Sequence, residues 1–172
     1  MDIISNPKEL LRCQKLVAAI TVNECDFDPQ WIKKHGWKVV PVEDTGHFAA
    51  EEIATLVAAL REAGFDRCIA IATESVEPDG VPGYSFPVSE EEFRNFNAQC
   101  GVFRYVLTDA KRSWAISCNE WYNLFAGKPE LLESMLGRPI AKAREEFLNF
   151  ANLLAKGPDE PLLRVAKHYA AL

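Results

Sequence analysis

The chain reads as an α/β (α+β) fold: a single mixed sheet of about five strands, with a βαβ unit, a C-terminal antiparallel meander and packed helices. Three observations predict it. Between Val102 and Ala126, apolar and polar residues alternate in three short runs separated by polar turns, the pattern of antiparallel strands. The run Phe65 to Thr73 (FDRCIAIAT) is almost continuously apolar, as in a strand buried on both faces. It follows an amphipathic segment, Ala49 to Ala63, which itself follows the strand-like WKVVPV at Trp37 to Val42.

Taken in order, Asn6-Pro7-Lys8-Glu9 is a helix start: Asn6 caps, and Pro7 suits the first helical position. Leu10, Cys13, Val17 and Ile20 follow at helical spacing, although Leu16 to Val22 is β-rich enough to be a strand instead. Asp28-Pro29 opens a short helix, Gln30 to His35, closed by Gly36. In WKVVPV, Pro41 cannot donate a ladder bond, so this strand belongs at an edge or ends there. Ile53, Leu56, Val57 and Leu60 mark the next helix, with Gly64 as its stop. Strand, helix and strand then suggest two parallel strands joined by a right-handed crossover.

Glu74 to Pro87 (ESVEPDGVPGYSFP) reads as the longest irregular segment. Ser89-Glu90-Glu91-Glu92 is a capping box for a helix carrying Phe93, Phe96 and Cys100 on one face, closed by Gly101. The meander follows: Val102 to Thr108, Trp114 to Asn119, then Trp121 to Ala126, with Asp109 to Arg112 as the first turn. Gly127-Lys128-Pro129 stops the sheet and starts a helix to Leu136. Gly137-Arg138-Pro139 restarts the chain into a long helix with a stripe of Ile140, Ala143, Phe147, Phe150 and Leu154, ended by Gly157-Pro158. A final helix runs from Leu162 to Ala171.

One segment carries a resemblance. The run VLTDAKRSWAISCNEWYNLFAGKPELLESML is similar to a segment of many small uncharacterised bacterial proteins, including immunity-type proteins of toxin systems. The likeness rests on Leu107-Thr108-Asp109, Trp114, the pair Trp121-Tyr122, and Phe125-Ala126-Gly127 before a helix, within residues 102–136. It implies a bacterial binding protein without a catalytic motif.

The whole of residues 1–172 fits one globular domain, large enough to bury a core without disulfides or metal. The five cysteines, Cys13, Cys25, Cys68, Cys100 and Cys118, form no CxxC pair and suit reduced, buried thiols in a cytoplasmic protein. No apolar run is long enough to span a membrane, and the first residues lack the pattern of a secretory signal. A formal net charge of -6 argues against nucleic-acid binding and permits a basic protein partner.

Familiar chemistry is hard to find. Asp79-Gly80-Val81-Pro82-Gly83 is no phosphate loop, because Pro82 removes an amide and no Lys-Ser/Thr follows. No cofactor or metal is expected: the histidines His35, His47 and His168 form no i, i+4 pair, and the ligand-rich run Glu24-Cys25-Asp26-Phe27-Asp28 reads as a capped turn. Cys118 suits a small core residue better than a nucleophile, and no catalytic residue is assigned.

What remains is recognition. Glu74, Glu77, Asp79, Tyr84 and Phe86 are the expected contact loop, with Trp121 and Tyr122 secondary. Acids would steer a basic partner such as a toxin, and rings would anchor it. Charge reversal at Glu77 and Asp79 is then expected to slow association. The rival is a small-molecule binder or enzyme with a pocket where the parallel strands end, near Glu43, Asp44 and Glu74. A homodimer through an exposed sheet edge is the third reading.

Overall fold

A computed structural model describes residues 1–43, 48–74, 76, 81–100, 103–157 and 160–171. The strands are β1 (Asp2–Ile3), β2 (Lys38–Glu43), β3 (Arg67–Ala72), β4 (Gly83–Pro87), β5 (Tyr105–Thr108), β6 (Trp114–Cys118) and β7 (Tyr122–Gly127). The helices are α1 (Pro7–Ala18), α2 (Pro29–His35), α3 (Ala50–Glu62), α4 (Glu90–Cys100), α5 (Pro129–Leu136), α6 (Ile140–Leu154) and α7 (Pro161–Ala170).

Helix starts follow local chemistry. The Asn6 side chain accepts from the Lys8 and Glu9 amides, and the Asp28 carboxylate accepts from the Gln30 amide at 2.8 Å. Gly36, Gly64 and Gly137 follow α2, α3 and α5 with positive φ, which only glycine adopts without strain. Leu16 and Val17 belong to α1, so the helical alternative prevails there. The predicted closures at Gly101 and Pro158 lie outside the described residues.

The strands join in one seven-stranded sheet of order β1-β4-β3-β5-β6-β7-β2, and every neighbouring pair is antiparallel. This corrects the expected five strands and parallel βαβ unit. β2 and β3, joined by α3, run in the same sense, but β5, β6 and β7 lie between them. The meander pairs with both, β5 against β3 and β7 against β2. Hydrophobic period identifies a strand but not its partner.

Two short strands escaped the sequence. β4 occupies the end of the stretch read as irregular, where Gly83 and Pro87 look like turn residues. β1 contributes only Asp2 and Ile3, paired with Ser85 and Tyr84.

Register sorts side chains onto two faces. Val40, Phe125, Ile116, Leu107, Ala70 and Tyr84 form one row across the sheet. They pack with Leu56 and Leu60 of α3, Phe93 and Phe96 of α4, and Leu132 of α5. Val39, Ala126, Ala115 and Ile69 line the other face, against Cys13 and Val17 of α1, Ile32 of α2 and Tyr169 of α7. This double burial explains why FDRCIAIAT is apolar throughout, although its neighbours are antiparallel.

Pro41 does sit on an edge strand. There the Arg144 side chain, on α6, donates to the Val39 carbonyl at 2.9 Å. Val39 and Pro41 share parity along β2, so the missing Pro41 amide falls on that same outer side. α6 therefore covers an edge that would otherwise offer hydrogen bonds to another strand. Leu154, expected in the α6 stripe, is 49 % exposed, while Ala151 takes the buried place. No helix among the described residues is long and apolar enough to cross a membrane.

Candidate functional site

The alternating strand directions bring one set of termini together. β3, β6 and β2 end, and β5 and β7 begin, at the same end of the sheet. Thr73, Glu74, Arg104, the β6–β7 turn and Glu43 therefore lie along that end, with Thr73, Glu74 and Arg104 side by side.

The loop between α1 and α2 closes over this end. Its own chemistry shapes it: the Asn23 side-chain oxygen accepts from the Cys25 and Asp26 amides, an Asx turn, and Thr21 bridges Phe27. Three strands then anchor its backbone and side chains. Thr73 Oγ1 donates to the Glu24 carbonyl at 2.6 Å, and Ser117 Oγ donates to the Cys25 carbonyl at 2.8 Å. The Arg104 guanidinium meets Glu24 Oε2 at 3.0 Å, while the Arg104 amide donates to Glu74 Oε1 at 2.6 Å. From α7, the Tyr169 hydroxyl donates to Asp26 Oδ1 at 2.9 Å.

The electrostatics are those of an acidic, partly closed site. Burial pushes the Cys25 thiol up; Arg104 opposes this, and Asp26, Glu24 and Glu74 reinforce it. Such a thiol holds its proton and is a poor nucleophile. Tyr122 is pushed up to about 12, chiefly by burial and then by its neighbours Cys25 and Asp26. Asn119, 7 % exposed, spends its amide on the Ser117 carbonyl, and its Oδ1 meets no donor among the described residues. Most polar groups on offer here are acceptors, so a fitting ligand brings donors or positive charge.

Of the expected contact residues, Glu74 lies in this cluster, half-buried beside Arg104. Trp121 is 55 % exposed in the β6–β7 turn, whereas Trp114 is fully buried. Tyr122 is half-buried, its ring against Phe147 of α6. Tyr84 and Phe86 are corrections: both are buried in β4, on the face under α4, and offer no contact surface. The alternation of a strand, not a loop, governs them. Glu77 and Asp79 lie outside the described residues, as does Asp44 of the rival pocket. Cys118 is buried on the α3–α5 face, beside core side chains.

Sequence reasoning missed the gathering of Glu24, Cys25 and Asp26 with Arg104. The loop was visible as a ligand-rich run. Arg104 gave the other signal, a cation in an otherwise apolar strand approach.

Two cavities open where β2 ends. One, of about 420 Å³, lies between α3 and α5 over Val42, Phe125 and Met135, with Glu51 and Glu52 at its rim. The other, of about 200 Å³, shares Val42, Glu52 and Arg138 and adds Glu43 and Phe147. Among the described residues, no group of His, Cys, Asp and Glu is arranged to hold a metal ion. No protein-family model matches the chain, and comparison with curated proteins and with solved structures gives no match.

Proposed function

We propose that the protein is a non-catalytic binding protein whose acidic, aromatic sheet end receives a basic protein partner. The observation that carries this reading is Trp121: a large ring, more than half exposed, in the turn at the same end of the sheet as Glu43, Glu120 and the Glu24–Arg104–Glu74 cluster. Exposed tryptophan is an effective anchor at interfaces, and surrounding carboxylates raise the encounter rate of a cationic surface. Arg104, already seated on Glu24, illustrates how the site holds a guanidinium. The resemblance of residues 102–136 to immunity-type proteins suggests a toxin as that partner and a bacterial source.

The test is affinity capture from the cells that make the protein, at low and high salt, with wild type beside a Glu120→Lys/Trp121→Ala variant. A stoichiometric basic protein, retained by wild type at low salt and lost by the variant, supports the reading. A partner retained equally by the variant overturns it.

A second reading rests on the paired cavities beside Val42, Glu52 and Arg138, whose apolar floor and charged rim suit a small molecule. It predicts a rise in Tm with a metabolite set, abolished by Val42→Trp.

A further inference from the structure

A groove of about 360 Å³ opens beside the acidic cluster, between the loop that joins α1 to α2 and helix α7. Its lining is mainly apolar. Phe27 and Tyr169 form the floor, both buried, and Val22, 59 % exposed, stands at the rim opposite Val165. Asp26 lies on the loop side, its carboxylate accepting from Tyr169 and Asn23, and the Arg164 guanidinium and the His168 ring lie along α7.

The loop wall is preformed. Val22 donates its amide to the Asp26 carbonyl, Asp28 donates to the Ile20 carbonyl, and Asn23, Thr73 and Ser117 hold the turn between them. An exposed valine on so well-fastened a turn costs little ordering entropy on binding. A lone exposed valine needs no explanation. This one, however, rims an apolar groove that shares Asp26 with the acidic sheet end.

We propose that this groove receives an apolar side chain of the partner. The segment that brings it carries arginine or lysine toward Glu24 and Asp26, and an acidic residue toward Arg164. The charge on the two walls commits the occupant to this mixed character; a wholly basic segment would meet Arg164 as a like charge. The inference rests on the preceding reading of the sheet end as a partner surface, and adds the apolar anchor and the opposite charge.

The test titrates short synthetic peptides into the isotope-labelled full chain and follows amide and indole signals. In the reference peptide a leucine stands between arginines and glutamates; in a second, serine replaces leucine; a third carries only arginines around the leucine. The expected result is that shifts centre on Val22, Asp26, Arg164 and Val165, and that serine weakens binding at least about tenfold. Arg164→Glu should weaken the reference peptide and strengthen the all-arginine one. Equal binding of the leucine and serine peptides, or shifts confined to Glu24, Glu120 and Trp121, overturns the groove while leaving the acidic surface standing. Absence of shifts with every peptide, the all-arginine one included, overturns both.

Discussion

The Tyr169 hydroxyl, on the last helix, donates to Asp26 Oδ1 at 2.9 Å, tying α7 to the loop that closes the candidate site. Tyr169 is fully buried, and the Asn23 amide holds the other Asp26 oxygen at 2.9 Å. Burial, reinforced by Asp26, pushes the phenol's pKa up, so it remains a donor at neutral pH. Tyr169→Phe keeps the packing and removes this bond. Chemical denaturation should register a loss of about 1–2 kcal/mol. Amide exchange in the 21–28 loop should rise at the same time.

The two tryptophans of the meander should separate cleanly. Trp114 is fully buried between β6 and the α3 side, whereas Trp121 is exposed. Trp114→Ala should cost about 3–5 kcal/mol in urea denaturation. Trp121→Ala should stay within about 0.5 kcal/mol of wild type, as substitutions at exposed sites do.

Thiol labelling should report the state of the loop. Among the described residues Cys25 is half-buried, while Cys13, Cys68, Cys100 and Cys118 are buried. A native sample should therefore react first at Cys25. Because burial raises its pKa, thiolate is scarcer and labelling at mildly alkaline pH is slower than for a free cysteine. Arg104 works against that rise and Glu24 adds to it. Arg104→Gln should slow the reaction further, and Glu24→Gln should speed it.

Alkaline stability should carry the signature of Tyr122. Its phenol moves from 10.0 to about 12 in the fold. The unfolded chain therefore releases this proton first, and the stabilisation, complete below about pH 10, is lost as pH rises toward about 12. Tyr122→Phe should make that part of the stability curve less steep, with Tyr105 and Tyr169, also raised by burial, supplying the remaining slope, as followed by denaturant midpoints across the range.

The sequence made local structure legible wherever a residue's own chemistry decides it. Asn6, Asp28, Gly36 and Pro129 mark helix ends that the fold adopts. Pro41 announced an edge strand because its nitrogen cannot donate. What stayed hidden depends on partners distant in the chain. Nothing local in β2 says that it pairs with β7 rather than β3. Tyr84 and Phe86 resemble loop aromatics until their pairing with β3 turns them inward. The candidate site was legible in pieces, as Glu74, as Trp121 with Tyr122, and as the Glu24–Asp28 run. Their assembly follows from strand directions that periodicity does not encode.

We propose that this sheet end steers and anchors a basic partner. It is tested most directly by the association rate of wild type and Glu120→Lys/Trp121→Ala with the captured partner, across a range of salt. The account predicts slower association for the variant and a flatter salt dependence, with denaturation midpoints unchanged. An association rate and salt slope equal to those of wild type would contradict it.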